Sequence, residues 1–179
     1  MVSGCSYFQY HKTEPGQFGG KLEVRWLAPD KFMFVPVAGD PFYFIRKDGR
    51  RIQPEKMYTD GGSIPQLIWG VPGYSPWGYA PAYIIHDWVF VAHYCGTEPD
   101  ASFSFDDSAM LIAEGIKTLM ESKKVQKSSF TMYTIYEAVK SPVAEKLWKN
   151  GKCEPVVETL TRDFERSSKL ITVIDMGQK

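Results

Sequence analysis

The stretch of sequence that most constrains the fold is residues 80–94, APAYIIHDWVFVAHY. Drawn as a helix, it carries apolar side chains on every side: Ile84, Ile85, Trp88, Val89, Val91 and Ala92. This pattern predicts a helix that is buried all round, since a surface helix shows a single apolar stripe. Pro81 suits the first turn of such a helix, and Gly96 is a typical residue just after its end.

His86 and Asp87 are adjacent polar residues in the middle of this apolar helix. An aspartate is almost never fully buried unless it is paired or bound to a cation. Neighbouring residues of a helix point about 100° apart, so we expect the two side chains to face different partners. The dipeptide therefore suggests one residue for proton transfer and the other for a metal ion.

Length and charge limit the kinds of function to consider. The 179 residues fit one domain with a proper core. Lys plus Arg and Asp plus Glu both number 21, which gives a formal net charge of zero. This balance argues against binding to a nucleic-acid backbone, and we expect no nucleic-acid partner. Since no apolar run approaches the roughly 20 residues that cross a bilayer, we also expect no transmembrane segment.

The three cysteines, Cys5, Cys95 and Cys153, are widely spaced. They form neither a metal-binding pair nor an even set for disulfides, so they favour a reducing compartment. The chain as it stands shows no secretory signal peptide. Residues 2–5, VSGC, are similar to the end of a bacterial lipoprotein signal but lack the charged and apolar segments that precede it. A trimmed lipoprotein anchored at Cys5 is therefore a minor alternative.

The first third of the chain is predicted to be rich in strands. Residues 1–20 contain many glycines and polar groups and suggest an N-terminal arm. Alternating apolar residues and turn signals, including Asp48 followed by Gly49, predict strands near residues 21–26, 31–37, 42–45 and 51–53. Together these strands indicate an antiparallel β meander.

Helices are predicted for most of the remainder. Apolar residues at helical spacing predict a second helix over residues 105–122, with Asp106 and Asp107 in its first turn, where the helix dipole favours negative charge. A third helix over residues 129–150 is interrupted near Pro142. Residues 151–179 form a tail with a possible edge strand at residues 170–174. We therefore predict an α+β fold, with one domain over residues 21–150 in which the meander packs on a helical hairpin.

A loop with unusual composition, YTDGGSIPQLIW at residues 58–69, precedes the buried helix. Gly61 and Gly62 next to Asp60 allow backbone carbonyls to approach a ligand closely. The simpler interpretation is a turn between sheet and helix.

Taken together, TDGGSIP, IIHDWVF and DDSAM resemble a phage-associated family of unknown function, whose members carry TD-x-x-SIP, then HD-x-x-Tyr, then an aspartate on the next helix. The resemblance covers residues 22–119. It implies a phage protein that is found in the virion or the host cytoplasm and that has other virion proteins as partners.

A more distant resemblance, over residues 58–140, is to prokaryotic phospholipases of the A-two class. It implies that His86 is the general base for attack of water on an ester and that Asp107 orients it. It further implies a Ca²⁺ cofactor held by Asp60, Asp87 and the carbonyls of Gly61 and Gly62. A phospholipase-like topology of the helical hairpin is part of the same expectation.

The sequence departs from the phospholipase pattern at Phe90, which occupies the position of the motif tyrosine. One hydroxyl that would support Asp107 is therefore missing, and Tyr133 or Tyr136 in the third helix could substitute for it. No cysteine lies beside the expected calcium loop to form the disulfides that brace secreted lipases.

Three functional interpretations stay open. The first is a calcium-dependent hydrolase of phospholipid or another ester, with a solvent-open cleft that has His86 and Asp107 hydrogen-bonded at its base. The second is a non-catalytic virion or assembly protein, with the same pair sealed in the core and a partner surface at Trp69, Tyr74, Trp77 and Tyr79. The third is another metal-dependent hydrolase, for which a His86/His93 pair is a minor candidate.

Overall fold

The computed structural model describes residues 2–27, 31–59, 78–154, 156 and 168–177. Within these ranges the helices are α1 (Val2–Lys12), α2 (Ala80–Cys95), α3 (Phe105–Glu121), α4 (Ser129–Val139) and α5 (Pro142–Asn150). The strands are β1 (Gln17–Gly19), β2 (Lys21–Leu27), β3 (Lys31–Pro36), β4 (Tyr43–Ile45), β5 (Arg51–Ile52), β6 (Met57–Thr59) and β7 (Lys169–Asp175). The predicted α+β class is confirmed.

The described strands form two antiparallel sheets, one of three strands in the order β1-β4-β5 and one of four in the order β6-β3-β2-β7. β2 and β3 are paired along their length, from Leu22 opposite Pro36 to Leu27 opposite Lys31. The predicted strands of the meander are thus present, but they are divided between two sheets. β7 adds to the free side of β2, so the edge strand predicted in the tail is confirmed.

Alternation along β2 explains how the larger sheet meets the helices. Leu22 and Val24 are buried, whereas Glu23 between them is only partly buried. Successive residues of a strand point to opposite faces, so one face of the sheet is apolar. Opposite Val24 lies Phe34, and all three apolar residues join one core with the buried side chains of α2 and α3. This core positions α2 against the sheet.

α2 is buried nearly all round, as its composition predicts. Ile84, Ile85, Trp88 and Val89 are all at most 3% exposed. The helix ends at Gly96, which adopts the left-handed conformation with φ 67° and donates its N–H to the carbonyl of Ala92. Glycine is favoured there because it has no Cβ to strain that conformation.

α2 and α3 pack against each other, and Gly115 of α3 lies against Ala82 near the start of α2. A Cβ placed on Gly115 would lie 3.0 Å from the Cβ of Ala82 and 3.2 Å from its Cα. Because glycine has no side chain, Gly115 allows the two helices to approach closely at this point. The predicted helical hairpin is present.

The N-terminal segment is not the arm that its polar composition suggested. α1 packs against α4, and Tyr10 is 3% exposed with its hydroxyl donating to Glu121 at 2.7 Å. Burial and this carboxylate raise the pKa of Tyr10 well above its usual value. Lys117 donates to the carbonyls of Tyr10 and Thr13, each at 2.8 Å, at the end of the helix. A cation there satisfies carbonyls that lack helical partners.

The predicted interruption near Pro142 is confirmed, and it separates α4 from α5. Ser141 precedes α5, and its hydroxyl accepts a hydrogen bond from the N–H of Ala144. Proline suits the first turn of a helix, where its missing N–H is no loss. None of the helices in the described ranges is long and apolar enough to span a bilayer.

The cysteines correct a second expectation, because Cys95 and Cys153 form a disulfide across 58 positions of sequence. The bond joins the last residue of α2 to the chain that follows α5, while Cys5 is free and exposed. The odd number of cysteines and their wide separation concealed this pair. Disulfides persist mainly in oxidising surroundings, so the bond removes the basis for favouring a reducing compartment.

We predict that Cys153→Ser lowers the free energy of unfolding by about 2–5 kcal/mol, because a long loop is no longer closed in the unfolded state. Urea denaturation monitored by circular dichroism measures the change, and Cys5→Ser is the matched control with little effect. Thiol titration of the denatured, unreduced protein should find one free thiol per chain. Three free thiols in protein made in an oxidising compartment would contradict the disulfide.

A buried ion pair fastens the smaller sheet to α3. Arg46, which follows β4, donates from Nε and Nη2 to both carboxylate oxygens of Glu114 at 2.8 and 2.7 Å. The two side chains are 15% and 10% exposed. This paired geometry raises the pKa of Arg46. Because the pair is withdrawn from water, removal of either member leaves a buried charge unsatisfied.

We expect Glu114→Ala to reduce the free energy of unfolding by about 3–5 kcal/mol, since the Arg46 guanidinium then lacks its partner in the interior. The exposed pair of Glu145 and Lys149 on α5 supplies the control, and Glu145→Ala should cost about 0.5 kcal/mol or less. Equal effects of the two variants in urea denaturation would show that burial of the Arg46 pair is unimportant.

Candidate functional site

His86 lies in the middle of α2 with its imidazole 4% exposed and its ring 4.9 Å from that of Phe90. Its Nδ1 is 3.7 Å from Oδ1 of Asp87. Its Nε2 is buried and, in the part of the chain that the structure describes, has no hydrogen-bond partner. A buried polar atom without a partner carries a free-energy penalty and calls for an explanation.

Asp87 is held by a residue from the sheet. Its Oδ2 accepts a hydrogen bond from the hydroxyl of Thr59 at 2.9 Å, and its side chain is 11% exposed. Thr59 is the last residue of β6, so the bond links the end of a strand to the middle of the buried helix. The requirement that a buried aspartate be paired is met in this way.

The next residue after Thr59 is Asp60, where the expected calcium loop begins. Asp60, Gly61 and Gly62 lie outside the described residues, as do Trp69, Tyr74 and Trp77. Asp87 is the expected calcium ligand that the structure describes. It is hydrogen-bonded to Thr59, the residue directly before Asp60 in the sequence.

Asp107 is not hydrogen-bonded to His86, which corrects the expected catalytic pair. Asp107 is exposed, and its Oδ2 accepts a hydrogen bond from the Ser104 hydroxyl at 2.7 Å. The Ser104 oxygen in turn accepts from the N–H of Asp107 at 3.1 Å. Ser104 is the N-cap of α3, so the two residues form a reciprocal cap at its first turn. The Ser104 oxygen thus satisfies one orphan N–H of α3, and the Asp107 carboxylate accepts the hydroxyl hydrogen of the same serine.

The two tyrosines expected to support Asp107 have other neighbours. The hydroxyl of Tyr136 accepts a hydrogen bond from Lys140 at 3.4 Å, and Lys140 also pairs with Asp106 at 3.3 Å. Partial burial, followed by the nearby Glu137 carboxylate, raises the pKa of Tyr133. In the described chain neither tyrosine hydroxyl is hydrogen-bonded to His86 or Asp107. His93 is exposed and stacks on Trp148 with ring centres 4.0 Å apart.

A buried polar contact that the sequence did not reveal lies one residue beyond Asp87. Trp88 donates its indole N–H to Asp100 at 2.7 Å, and the Asp100 side chain is 7% exposed. Arg50 approaches the other Asp100 oxygen at 3.6 Å. In the sequence, Asp100 is simply one of the acidic residues of the polar loop after α2. The pairing depends on a turn that brings Asp100 back to the helix, and no local pattern encodes such a turn.

The described pocket lies elsewhere. A cavity of about 720 Å³ is lined by Gln17, Phe18, Thr118, Lys124 and Asp175, among others, and by none of the candidate site residues. Across the described ranges, moreover, no three side chains among His, Cys, Asp and Glu are grouped so as to hold a metal ion. His86, which is 4% exposed, does not line this cavity.

Of the expected calcium ligands, the structure describes Asp87, whose carboxylate is a hard oxygen ligand of the kind that calcium prefers. Comparison of the chain with protein-family models, curated proteins and solved structures finds no match.

We predict that His86→Leu leaves the free energy of unfolding within about 1 kcal/mol of the original or raises it, because the change removes an unsatisfied buried nitrogen. Thermal and urea unfolding measure the effect. Trp88→Phe is the control, since it breaks a buried hydrogen bond to Asp100 and should destabilise by about 1–3 kcal/mol. A loss above about 2 kcal/mol for His86→Leu would instead identify the imidazole as a structural core residue.

Proposed function

We propose that the protein is a calcium-dependent hydrolase of phospholipids or other esters, with its reaction centre at His86 and Asp87. The observation that supports it most is the 2.9 Å hydrogen bond from Thr59 to Asp87. A calcium site of the expected kind requires that the loop beginning at Asp60 lie beside the Asp87 carboxylate on α2. This bond connects the residue before that loop to that carboxylate.

His86 acts as the general base in this proposal. Its Nε2 has no partner within the described chain and accepts the proton of the attacking water. The imidazolium that forms is stabilised by the Asp87 carboxylate, 3.7 Å from Nδ1. Asp87 thereby takes the electrostatic role that the phospholipase resemblance gave to Asp107. Because the imidazole is 4% exposed, a path to Nε2 has to open before an ester can reach it.

Asp87, Asp60 and the carbonyls of Gly61 and Gly62 would hold the calcium ion. When bound, the ion supplies positive charge that polarises the ester carbonyl and neutralises the developing oxyanion. Thr59 contributes by fixing Asp87: its hydroxyl occupies one oxygen and orients the carboxylate.

The second candidate is a non-catalytic phage virion or assembly protein, with other virion proteins as partners. Three features support it: the sealed imidazole of His86, the use of Asp107 as a helix cap, and the Cys95–Cys153 disulfide. Disulfides are common on virion surfaces, so the bond favours a virion or another oxidising location over the host cytoplasm. A lipoprotein anchored at the exposed Cys5 is a minor alternative that is also compatible with the bond.

Calorimetric titration with Ca²⁺ tests the calcium site. We expect binding with a dissociation constant of about 10⁻⁶–10⁻³ M, lost in Asp60→Asn and in Asp87→Asn, since each removes a carboxylate ligand. Asp106→Asn is the matched control, because this aspartate is exposed and pairs with Lys140 on the surface. Its calcium affinity should equal that of the original protein.

Ester hydrolysis is then assayed on phospholipid vesicles and on a soluble ester, with and without Ca²⁺. His86→Gln should abolish calcium-dependent turnover while calcium still binds, because the base is removed and the proposed ligands remain. Absence of calcium binding, or turnover that survives His86→Gln, would reject the hydrolase. Absence of calcium binding would support the non-catalytic candidate, whereas turnover that survives His86→Gln would not.

A further inference from the structure

Two aromatic rings in succession connect the buried imidazole of His86 to α5. The ring of Phe90, one helical turn further along α2, lies 4.9 Å from the imidazole. The indole of Trp148 in α5 lies 4.8 Å from the Phe90 ring and nearly perpendicular to it. Trp148 also stacks on His93 and lies 6.1 Å from Phe105 at the start of α3. Trp148 therefore anchors α5 between α2 and α3 and holds Phe90 against the imidazole.

α5 itself is lightly attached to the protein. Trp148 is the one buried residue of this helix, whereas Val143 and Leu147 are 71% and 51% exposed. A helix of nine residues is marginal by itself in water, so α5 is stable only while it is docked. Its position therefore depends on the contacts that hold its ends.

The C-terminal end of α5 is held by the last residues of α2. The hydroxyl of Tyr94 donates to the carbonyl of Leu147 at 2.8 Å, and Gly151 lies directly against the Tyr94 ring. Two residues after Gly151, Cys153 is bonded to Cys95, the last residue of α2. The disulfide thus fixes the end of α5 covalently beside the docked indole. Because Cys153 is exposed, a dissolved thiol can reach the bond.

We propose that α5 is a redox-controlled cover of the site at His86, which the disulfide holds in place and its reduction releases. This regulatory role rests on the proposed function, in which a path to Nε2 has to open. Two thiol groups of a reductant supply two electrons and two protons. The S–S bond breaks, Cys95 and Cys153 each become a free thiol, and the two reductant sulfurs join in a disulfide.

Release of α5 opens the site by freeing the Phe90 ring. Without Trp148 beside it, this half-buried ring loses its outer neighbour and can rotate away from the imidazole, as exposed side chains do rapidly. The bond persists in oxidising surroundings and is reduced where thiols are abundant. The cover therefore keeps His86 shielded until the protein enters a reducing compartment.

Reduction is expected to leave the rest of the fold in place. Ile85 of α2, Ile112 of α3 and Ile135 of α4 are each at most 1% exposed and belong to one core. Apolar burial of this kind holds the three helices together without a covalent bond. Opening is therefore local to α5, the element with the least buried surface to lose.

The test is the rate at which diethyl pyrocarbonate modifies each histidine, measured by peptide mass spectrometry. Oxidised protein is compared with protein that has been reduced with a dithiol and then separated from it. Reduction should raise the rate at His86 about tenfold or more, while the rate at the exposed His11 of α1 changes less than about twofold. Cys5→Ser should respond as the original protein does, because this thiol is free in both states.

Hydrogen exchange distinguishes release of the cover from loosening of the whole fold. On reduction the amides of α5 should exchange about tenfold faster or more, and those of α4 should change less than about twofold. Trp148→Ala, with the disulfide intact, removes the anchor and should raise modification of His86 without reductant. Val143→Ala, on the exposed side of α5, is the matched control and should not.

The proposal is overturned if reduction raises the His86 rate less than about tenfold, or if α4 exchanges as fast as α5 after reduction. The second result would mean that the disulfide braces the whole fold. Neither measurement needs turnover, so the cover can be rejected or supported even if the calcium and ester assays reject the hydrolase. Where turnover is found, the reduced protein should be about tenfold faster or more, and equal rates would also overturn the cover.

Discussion

A helix that is buried on all sides can carry a carboxylate only where another part of the fold supplies a hydrogen-bond donor. The rest of this structure depends on the donor that the fold supplies to α2. Thr59 at the end of β6 supplies the donor to Asp87. One residue further on, Trp88 donates to Asp100 in the following turn. These two bonds fix α2 to the sheet on one side and to its own exit loop on the other. Apolar burial drives the packing, and the polar contacts determine its register.

Much of this architecture follows from local sequence. Apolar residues on every side predict α2, helical periodicity predicts α3, Pro142 predicts the break after α4, and alternation predicts β2, because each signal lies within a single element. α1 and the disulfide escaped prediction for the opposite reason. α1 is stabilised by Lys117, which caps it from α3, and Cys95 meets Cys153 only after three helices have packed. Contacts between residues this far apart in the sequence cannot be predicted from local sequence patterns.

The candidate site illustrates the same limit on a smaller scale. Sequence singled out His86 and Asp87 correctly as polar groups inside a buried helix. The phospholipase resemblance assigned Asp107 to His86, but an aspartate three residues after a serine at a helix start also fits a cap. The structure has that cap with Ser104. A nearby donor within the same turn prevails over a distant imidazole, because forming the local contact orders fewer residues.

The remaining question is why the helix keeps an imidazole at all. Most of the local preferences of α2 are satisfied: Ile85 and Val89 are fully buried, the helix ends at Gly96, and Asp87 is paired. His86 departs from this consistency, since its Nε2 is buried without a partner in the described chain. A leucine at the same position would satisfy packing without leaving a polar atom unpaired. A polar side chain at such a position costs stability, and this cost is the physical basis for our proposal that the reaction centre lies at His86.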